Sequence, residues 1–183
     1  MINRLAKLLP NLVGGSADLA PSNLTYIKEG GDYSAENRAG RNLHFGVREH
    51  AMAAICNAIA LHGGLRVFCG TFFVFSDYMK HSMRMSAIMK LPVTYVLTHD
   101  SIGVGEDGPT HQPIEQICGL RTMPNNLVWR PCDSTESAVA WTMAAERKDG
   151  PVCLIMSRQN LNQQARTAEQ LEAVRRGGYI RKD

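Results

Sequence analysis

The sequence predicts an α/β domain, a mostly parallel sheet with helices on both faces. Three observations predict it. Short strands with apolar, β-branched interiors alternate with helical stretches of about 10–16 residues. The length, 183 residues, suits one domain with a sizeable core. Every segment of unusual composition follows a predicted strand, and the loops at the carboxyl ends of parallel strands are where such sheets bind ligands.

Each element follows in order. Residues 1–10 read as a short amphipathic helix ended by Pro10, and Leu12-Val13-Gly14-Gly15 as a strand entering a Gly-Ser turn. From Ser16 to Asn42 the chain is polar with little periodicity, and a loop that long is usually functional. Leu43-His44-Phe45 is strand-like. Arg48 to His62 then carries Met52, Ile55, Cys56 and Ile59 at helical spacing, stopped by Gly63-Gly64. Leu65 to Cys69 is the next strand, Phe75 to Lys90 a methionine-rich helix, and Pro92 to Leu97 a buried-type strand. His99 to Pro113 is a Gly/Pro-rich loop, Ile114 to Met123 a helix and Leu127 to Trp129 a strand. Ser134, with Ser137 behind it, is the expected N-cap of a helix reaching Lys148, and Pro151 to Met156 forms the last strand. Residues 1–160 make the domain. Residues 161–183 read as a linker or tail, with Arg175, Arg176, Arg181 and Lys182 as solvated charges.

Composition narrows the function. Hydrophobic residues at 44% and charged residues at 20% exclude disorder, and no apolar window is long enough for a transmembrane helix. A net charge of +3 is too weak to imply nucleic acid. The cysteines Cys56, Cys69, Cys118, Cys132 and Cys153 form no Cys-x-x-Cys pair and lie in or beside apolar stretches. They read as buried, reduced thiols of a cytoplasmic protein. The first ten residues are too short and too charged for a signal peptide.

Three segments could carry chemistry. The loop from Thr98 to Pro113 contains a literal G-x-G-x-x-G at Gly103, Gly105 and Gly108. Five residues separate it from the strand, Glu106 and Asp107 sit where a pyrophosphate would, and Pro109 to Pro113 delay the helix, so the dinucleotide reading fails. A metal held by His99, Asp107 and His111 fits no helical ligand spacing. A polar substrate pocket fits better, since imidazoles and a carboxylate on one loop can bond hydroxyls and move protons near neutral pH. The bland alternative is a turn whose histidines satisfy backbone groups. Glu49, in the first turn of a helix, is either a helix-dipole carboxylate or an acid placed to share a proton with a ring nitrogen. Phe72, Phe75 and Tyr78, at three-residue spacing, are either core or a flat pocket for an aromatic ring.

Four blocks carry a resemblance over roughly Leu12 to Gln159: Gly14-Gly-Ser-Ala-Asp-Leu19, Phe45-Gly-Val-Arg-Glu-His50, the whole of Thr98 to Pro113, and Ser157-Arg-Gln159. Together they resemble the central, pyrimidine-binding domain of the transketolase family, whose cofactor is thiamine diphosphate. The third block is the most specific of them. The resemblance implies that Glu49 hydrogen-bonds the aminopyrimidine ring and drives its imino tautomer, which then takes the thiazolium C2 proton. It implies that Phe75 stacks on the pyrimidine, with Phe72 and Tyr78 completing the pocket. His99 and Asp107 would contact sugar hydroxyls, His111 would bind substrate and handle protons, and Arg158 with Ser22 would clamp the sugar phosphate. Asp18 is carried over only as part of a dimer-facing turn.

The family holds the cofactor's diphosphate and its Mg²⁺ on a separate domain with a Gly-Asp-Gly segment, for which this sequence has no counterpart; no metal site is expected here. The chain is therefore expected to be a fragment of transketolase, inactive alone. The reaction implied is transfer of a two-carbon ketol unit from a ketose phosphate to an aldose phosphate, a step of the pentose phosphate pathway. A homodimer, with the diphosphate-binding domain of a partner subunit facing Glu49, is implied as well. The alternatives are a non-catalytic dimerisation or regulatory module that keeps the fold, or a subunit of a split transketolase.

Overall fold

A computed structural model describes residues 1–180 of the chain; Arg181 and Lys182 of the expected tail lie outside the described residues. In chain order the elements are α1 (Ile2–Leu8), β1 (Leu12–Ser16), α2 (Ala20–Asn23), β2 (Asn42–His44), α3 (Glu49–His62) and β3 (Arg66–Phe72). A 3₁₀ turn at Phe73–Phe75 leads into α4 (Ser76–Ile88), followed by β4 (Val93–Asp100) and two 3₁₀ turns at Ile102–Asp107 and Pro109–His111. Then come α5 (Gln116–Arg121), β5 (Leu127–Trp129), α6 (Ser134–Glu146), β6 (Val152–Ser157) and α7 (Ala168–Val174). The strands form one sheet of order β2-β1-β3-β4-β6-β5 in which every pairing is parallel.

The alternation of side chains along the strands divides the core in two. Val67, Cys69, Tyr95 and Leu97 point to one face, where α3, α4 and α5 cover them with Met52, Cys56, Met79, Met83 and Leu120. Phe68, Val96 and Leu154 point to the other, against Ile2 and Ala6 of α1, Trp141 of α6 and Val174 of α7. Each Val, Leu, Ile, Phe or Met among them contributes roughly 1.5–3 kcal/mol on full burial. Helices thus cover both faces of the sheet.

Strand β1 needs its glycines because it is hemmed in on both sides. A Cβ on Gly14 would lie 2.2 Å from the Phe68 carbonyl oxygen, and one on Gly15 would lie 1.8 Å from that of Leu43. The long polar segment after β1 is a built structure. The Arg41 guanidinium donates to the carbonyls of Ala6, Leu9 and Leu12, closing the end of α1. Asn42 accepts from the Ile27 amide and donates to the Ile27 and Gly31 carbonyls.

Several expectations are corrected. The N-cap of α6 is Asp133, not Ser134: its carboxylate accepts from the Glu136 amide at 3.0 Å, and an acidic cap suits a helix N-terminus. Strands β3 and β4 run about three residues past their expected ends, carrying Phe72 and Asp100 to the rim. Helix α5 starts only at Gln116, leaving Ile114 exposed. Cys118 and Cys132 are exposed, because α5 turns Leu120 inward instead and Cys132 lies in the turn after edge strand β5; Cys56, Cys69 and Cys153 are buried. Burial pushes the Cys153 thiol up to about 12 and holds Cys69 well above its usual value.

The segment read as a polar tail is anchored. Arg166, 4% exposed at its side chain, pairs with Asp133 and Glu136, and Tyr179 donates to the same Glu136 carboxylate. Helix α7 begins with a capping box between Thr167 and Gln170 and seats Val174 in the core. Arg175 and Arg176 are exposed, as their charges suggest.

Candidate functional site

The site is assembled where neighbouring strands hand the chain in opposite directions. β1 and β3 are adjacent, yet β1 leads outward to β2 and β3 leads inward to β4, which opens a crevice at their carboxyl ends. Two sets of side chains reach it, and a third stands apart.

The first set is aromatic. Phe72 ends β3, and the 3₁₀ turn after it places Phe75 parallel to it, with centroids 5.8 Å apart and planes at 10°. Tyr78, 67% exposed on the first turn of α4, continues the row at 6.0 Å from Phe75. The three-residue spacing therefore makes one stacked wall.

The second set comes from the β4 loop. The ladder between β4 and β6 slips after Leu97, so that Asp100 pairs with Ser157 and β4 carries one residue more than its partner. His99 is that irregularity and adopts a left-handed φ of 62°, rare outside glycine, which re-aims its ring. The imidazole lies on Phe72 with centroids 3.7 Å apart. Asp100 holds the bulge from below, buried and bonded to Arg130 at 2.6 Å. His111 closes the wall edge-on, 5.1 Å from Phe75 and 6.0 Å from Phe72. Burial pushes the His99 imidazole below its ordinary value; Asp107 opposes the shift, and the positive fields of Arg158 and His111 add to it. Neutral imidazole is thus the form of His99 near pH 7. Arg158, exposed beyond β6, pairs with Glu106 at 3.3 Å. With Arg158 partly and Glu106 largely solvated, the pair is a weak surface one.

The third set is acidic and stands apart. Gly46, at φ 66°, turns the chain from β2 into α3, and Glu49 occupies the first helical position there. Its residue is 9% exposed, and its carboxylate makes no hydrogen bond or ion pair among the described residues. Glu49 follows β2, separated from β3 by β1 alone, and touches none of the rings.

The structure therefore gathers Phe72, Phe75, Tyr78, His99 and His111 through direct ring contacts, with Asp107 and Arg158 in the same field. Ser22 is exposed on α2 and shares no hydrogen bond with Arg158 among the described residues. Asp18, at φ 60°, lines a cleft of about 270 Å³ with Ser16, Thr25, Asn42 and His44. Among the described residues no cluster of three or more His, Cys, Asp or Glu side chains is arranged to hold a metal ion. No helix among them is long and apolar enough to cross a membrane.

A polar layer beneath the rings escaped the sequence reading. Asn23, Thr25, Thr71 and Thr98 are all buried, and the Thr98 hydroxyl donates to Asn23 Oδ1 at 2.7 Å and contacts His99 Nδ1 at 2.9 Å. Asn23 Nδ2, Thr25 Oγ1 and Thr71 Oγ1 have no partner. The available signal was an Asn closing the Pro-Ser-Asn turn of α2 and a Thr directly before His99, neither of which shows in a linear pattern.

With this geometry in place, comparison with known proteins is direct. The chain matches the family described as the transketolase, pyrimidine binding domain, over residues 1–164. It is 57% identical over 182 residues to transketolase 1 of Vibrio cholerae, covering 100% of this chain and 27% of that protein. The transketolase of Bacillus subtilis is 56% identical, with 98% of this chain and 27% of that protein covered. The crystal structure of the Pichia stipitis transketolase complex with sedoheptulose-7-phosphate superposes with a TM-score of 0.93 at 43% identity. It spans 100% of this chain and 28% of the other. The chain thus spans about a quarter of the length of the relatives it matches.

Proposed function

The chain belongs to the transketolase pyrimidine-binding domain family, and from that premise we propose that it supplies the pyrimidine and sugar side of a transketolase active site. The reaction would be transfer of a two-carbon ketol unit between sugar phosphates, completed by the diphosphate-binding part of a partner subunit. The observation that carries this reading is a carboxylate on a 9%-exposed residue, bonded to nothing among the described residues, two strands away from a stacked aromatic wall. A flat ring with a basic nitrogen needs both.

The residues fit thiamine diphosphate on one side only. Phe72, Phe75 and Tyr78 would take its pyrimidine by offset stacking, and Glu49 would hold a ring nitrogen. When bound, the cofactor would supply carbanion stabilisation, its cationic thiazolium ring serving as the electron sink that ketol transfer requires. Glu49 holds or releases a proton at its carboxylate oxygens. His99, kept neutral by burial, accepts from or donates to a sugar hydroxyl. Asp107 orients a second hydroxyl and His111 carries a proton at the rim. Arg158 and Ser22 bind the phosphate, Arg158 exchanging Glu106 for it. The diphosphate and Mg²⁺ belong to the partner's surface. A dimer face beside Glu49 and the Gly15–Leu19 turn is supported by the exposed Val47, 75%, and Tyr78, 67%. A reducing, cytoplasmic setting fits five cysteines that form no disulfide.

The test is reconstitution with the remaining segments of a transketolase. Ketol transfer is expected to return with them, and Glu49→Gln is expected to lower it by about 10²–10⁴-fold without loss of folding. The chain alone should bind thiamine diphosphate and Mg²⁺ only weakly by titration calorimetry. Tight binding by the chain alone, or a Glu49→Gln assembly of undiminished activity, would overturn the reading.

A further inference from the structure

We propose that Asn23, acting through Thr98, selects the ring tautomer of His99 and so turns a lone pair of that imidazole toward the substrate crevice. Asn23 is a positioning residue in this scheme. The inference rests on reading His99 as a sugar-hydroxyl contact only for its consequence; the tautomer itself follows from the hydrogen bonds.

A threonine hydroxyl has one proton to give and two lone pairs to receive with. The Thr98 hydroxyl spends its proton on Asn23 Oδ1, at 2.7 Å. Its remaining contact, 2.9 Å from His99 Nδ1, can then be satisfied only by a proton on that nitrogen. His99 Nδ1 must carry the hydrogen, and Nε2, across the ring and without a hydrogen-bond partner among the described residues, keeps its lone pair. Solvated imidazole prefers the opposite arrangement, so the protein is choosing.

Asn23 is well placed to choose. It is 4% exposed, its backbone N–H donates to the Leu19 carbonyl at 2.8 Å to close α2, and it lies against the wall of β3. A Cβ at Gly70 would stand 3.4 Å from Asn23 Nδ2 and 2.8 Å from the Thr25 methyl, so a side chain there would crowd both. The amide's two ends are not equivalent. With Oδ1 toward Thr98, Nδ2 is buried and unpaired. Turned over, the amide would donate to Thr98 instead, freeing the hydroxyl proton for His99 Nδ1 and moving the ring hydrogen to Nε2. One amide orientation therefore makes His99 an acceptor toward substrate, the other a donor. An acceptor is what a donor-sugar hydroxyl needs if its proton is to be drawn away.

Ring-nitrogen NMR decides it. In the ¹⁵N-histidine-labelled chain, long-range ¹H–¹⁵N correlations should show His99 Nδ1 in the protonated range and Nε2 in the lone-pair range. Asn23→Leu should exchange the two, because the freed Thr98 hydroxyl then donates to Nδ1. Asn23→Asp, which still accepts from Thr98, should keep the original pattern, and Thr98→Val should lose it. A protonated Nε2 in the unaltered chain, or an unchanged pattern in Asn23→Leu, would overturn the proposal. Should Asn23→Leu fail to fold, Asn23→Asp and Thr98→Val still decide it through their opposite expectations. Failure of the functional reading looks different: the tautomer stands, but a sugar phosphate added to the reconstituted enzyme leaves the His99 resonances unmoved.

Discussion

Two polar clusters sit at the carboxyl end of the sheet, and they are built on opposite terms. At the β5 edge, Arg166, Asp133, Glu136 and Tyr179 are mutually bonded, and the Asp133 carboxylate also receives the Gln164 amide. In the crevice beside β3, Asn23 Nδ2, Thr25 Oγ1 and Thr71 Oγ1 are buried without partners. A buried polar group left unmade costs about 1–3 kcal/mol. The first cluster avoids that cost and fastens the segment after β6 to the domain. The second bears it beside the residues that would meet a ligand. The completed network holds the segment after β6, whereas unpartnered groups gather beneath the rings and recur elsewhere, as at Trp129 Nε1 on β5.

The largest effect should come from breaking the completed network. Arg166→Met leaves Asp133, fully buried at its side chain, without its cation, a loss expected near 3 kcal/mol. Thermal unfolding should fall by roughly 10 °C. An unchanged midpoint would mean the latch is idle.

Acid attacks the same network. For both acids burial pushes the pKa up. It is outweighed at Asp133 by the Arg166 guanidinium and two backbone amides, and at Glu136 by the Cys132 amide, Tyr179 and Arg166, so both end below their ordinary values of 3.8 and 4.5. Groups depressed in the folded state contribute stability above their unfolded pKa and lose it as pH falls through the folded one. Helix α7 should therefore loosen below about pH 4, seen as amide exchange rising there before it rises in β3 and β4. Simultaneous exchange everywhere would contradict a local latch.

The smallest and most discriminating test reverses the sign. Thr71→Val replaces a buried hydroxyl lacking a partner with a methyl group of the same shape on a central strand. Stability should rise by about 1 kcal/mol, the opposite of Arg166→Met. A loss would show that the hydroxyl is satisfied in solution and that the crevice is not built as described.

Much of this was legible beforehand for a definite reason. Strand and helix periods are local, so the alternation of elements, the aromatic row from Phe72 to Tyr78 and the separation of the histidine loop from its helix could be read directly. In the segment after β6, polarity does not mean solvation. Arg166 is polar and buried, a combination that depends on Asp133 and Glu136 arriving from 30 residues away. Cys118 and Cys132 were misplaced likewise, since an apolar neighbourhood in sequence does not say which side of a short helix or turn faces inward. The cap of α6 was off by one because both Asp133 and Ser134 are good caps, and only the backbone geometry distinguishes them.

By itself, the sequence determined an all-local matter: a βα repeat, the residue types at each strand end and four motif blocks that resemble one family. Tertiary structure decided which strand ends become neighbours. The order β2-β1-β3-β4-β6-β5 sets Glu49 across β1 from Phe72, and a one-residue slip in β4 turns His99 onto that ring. It also brought Asn23 under Thr98, 75 residues away. Hydrogen bonds are directional and short, so a contact of that kind exists only once packing has placed both partners, and no pattern along the chain can carry it.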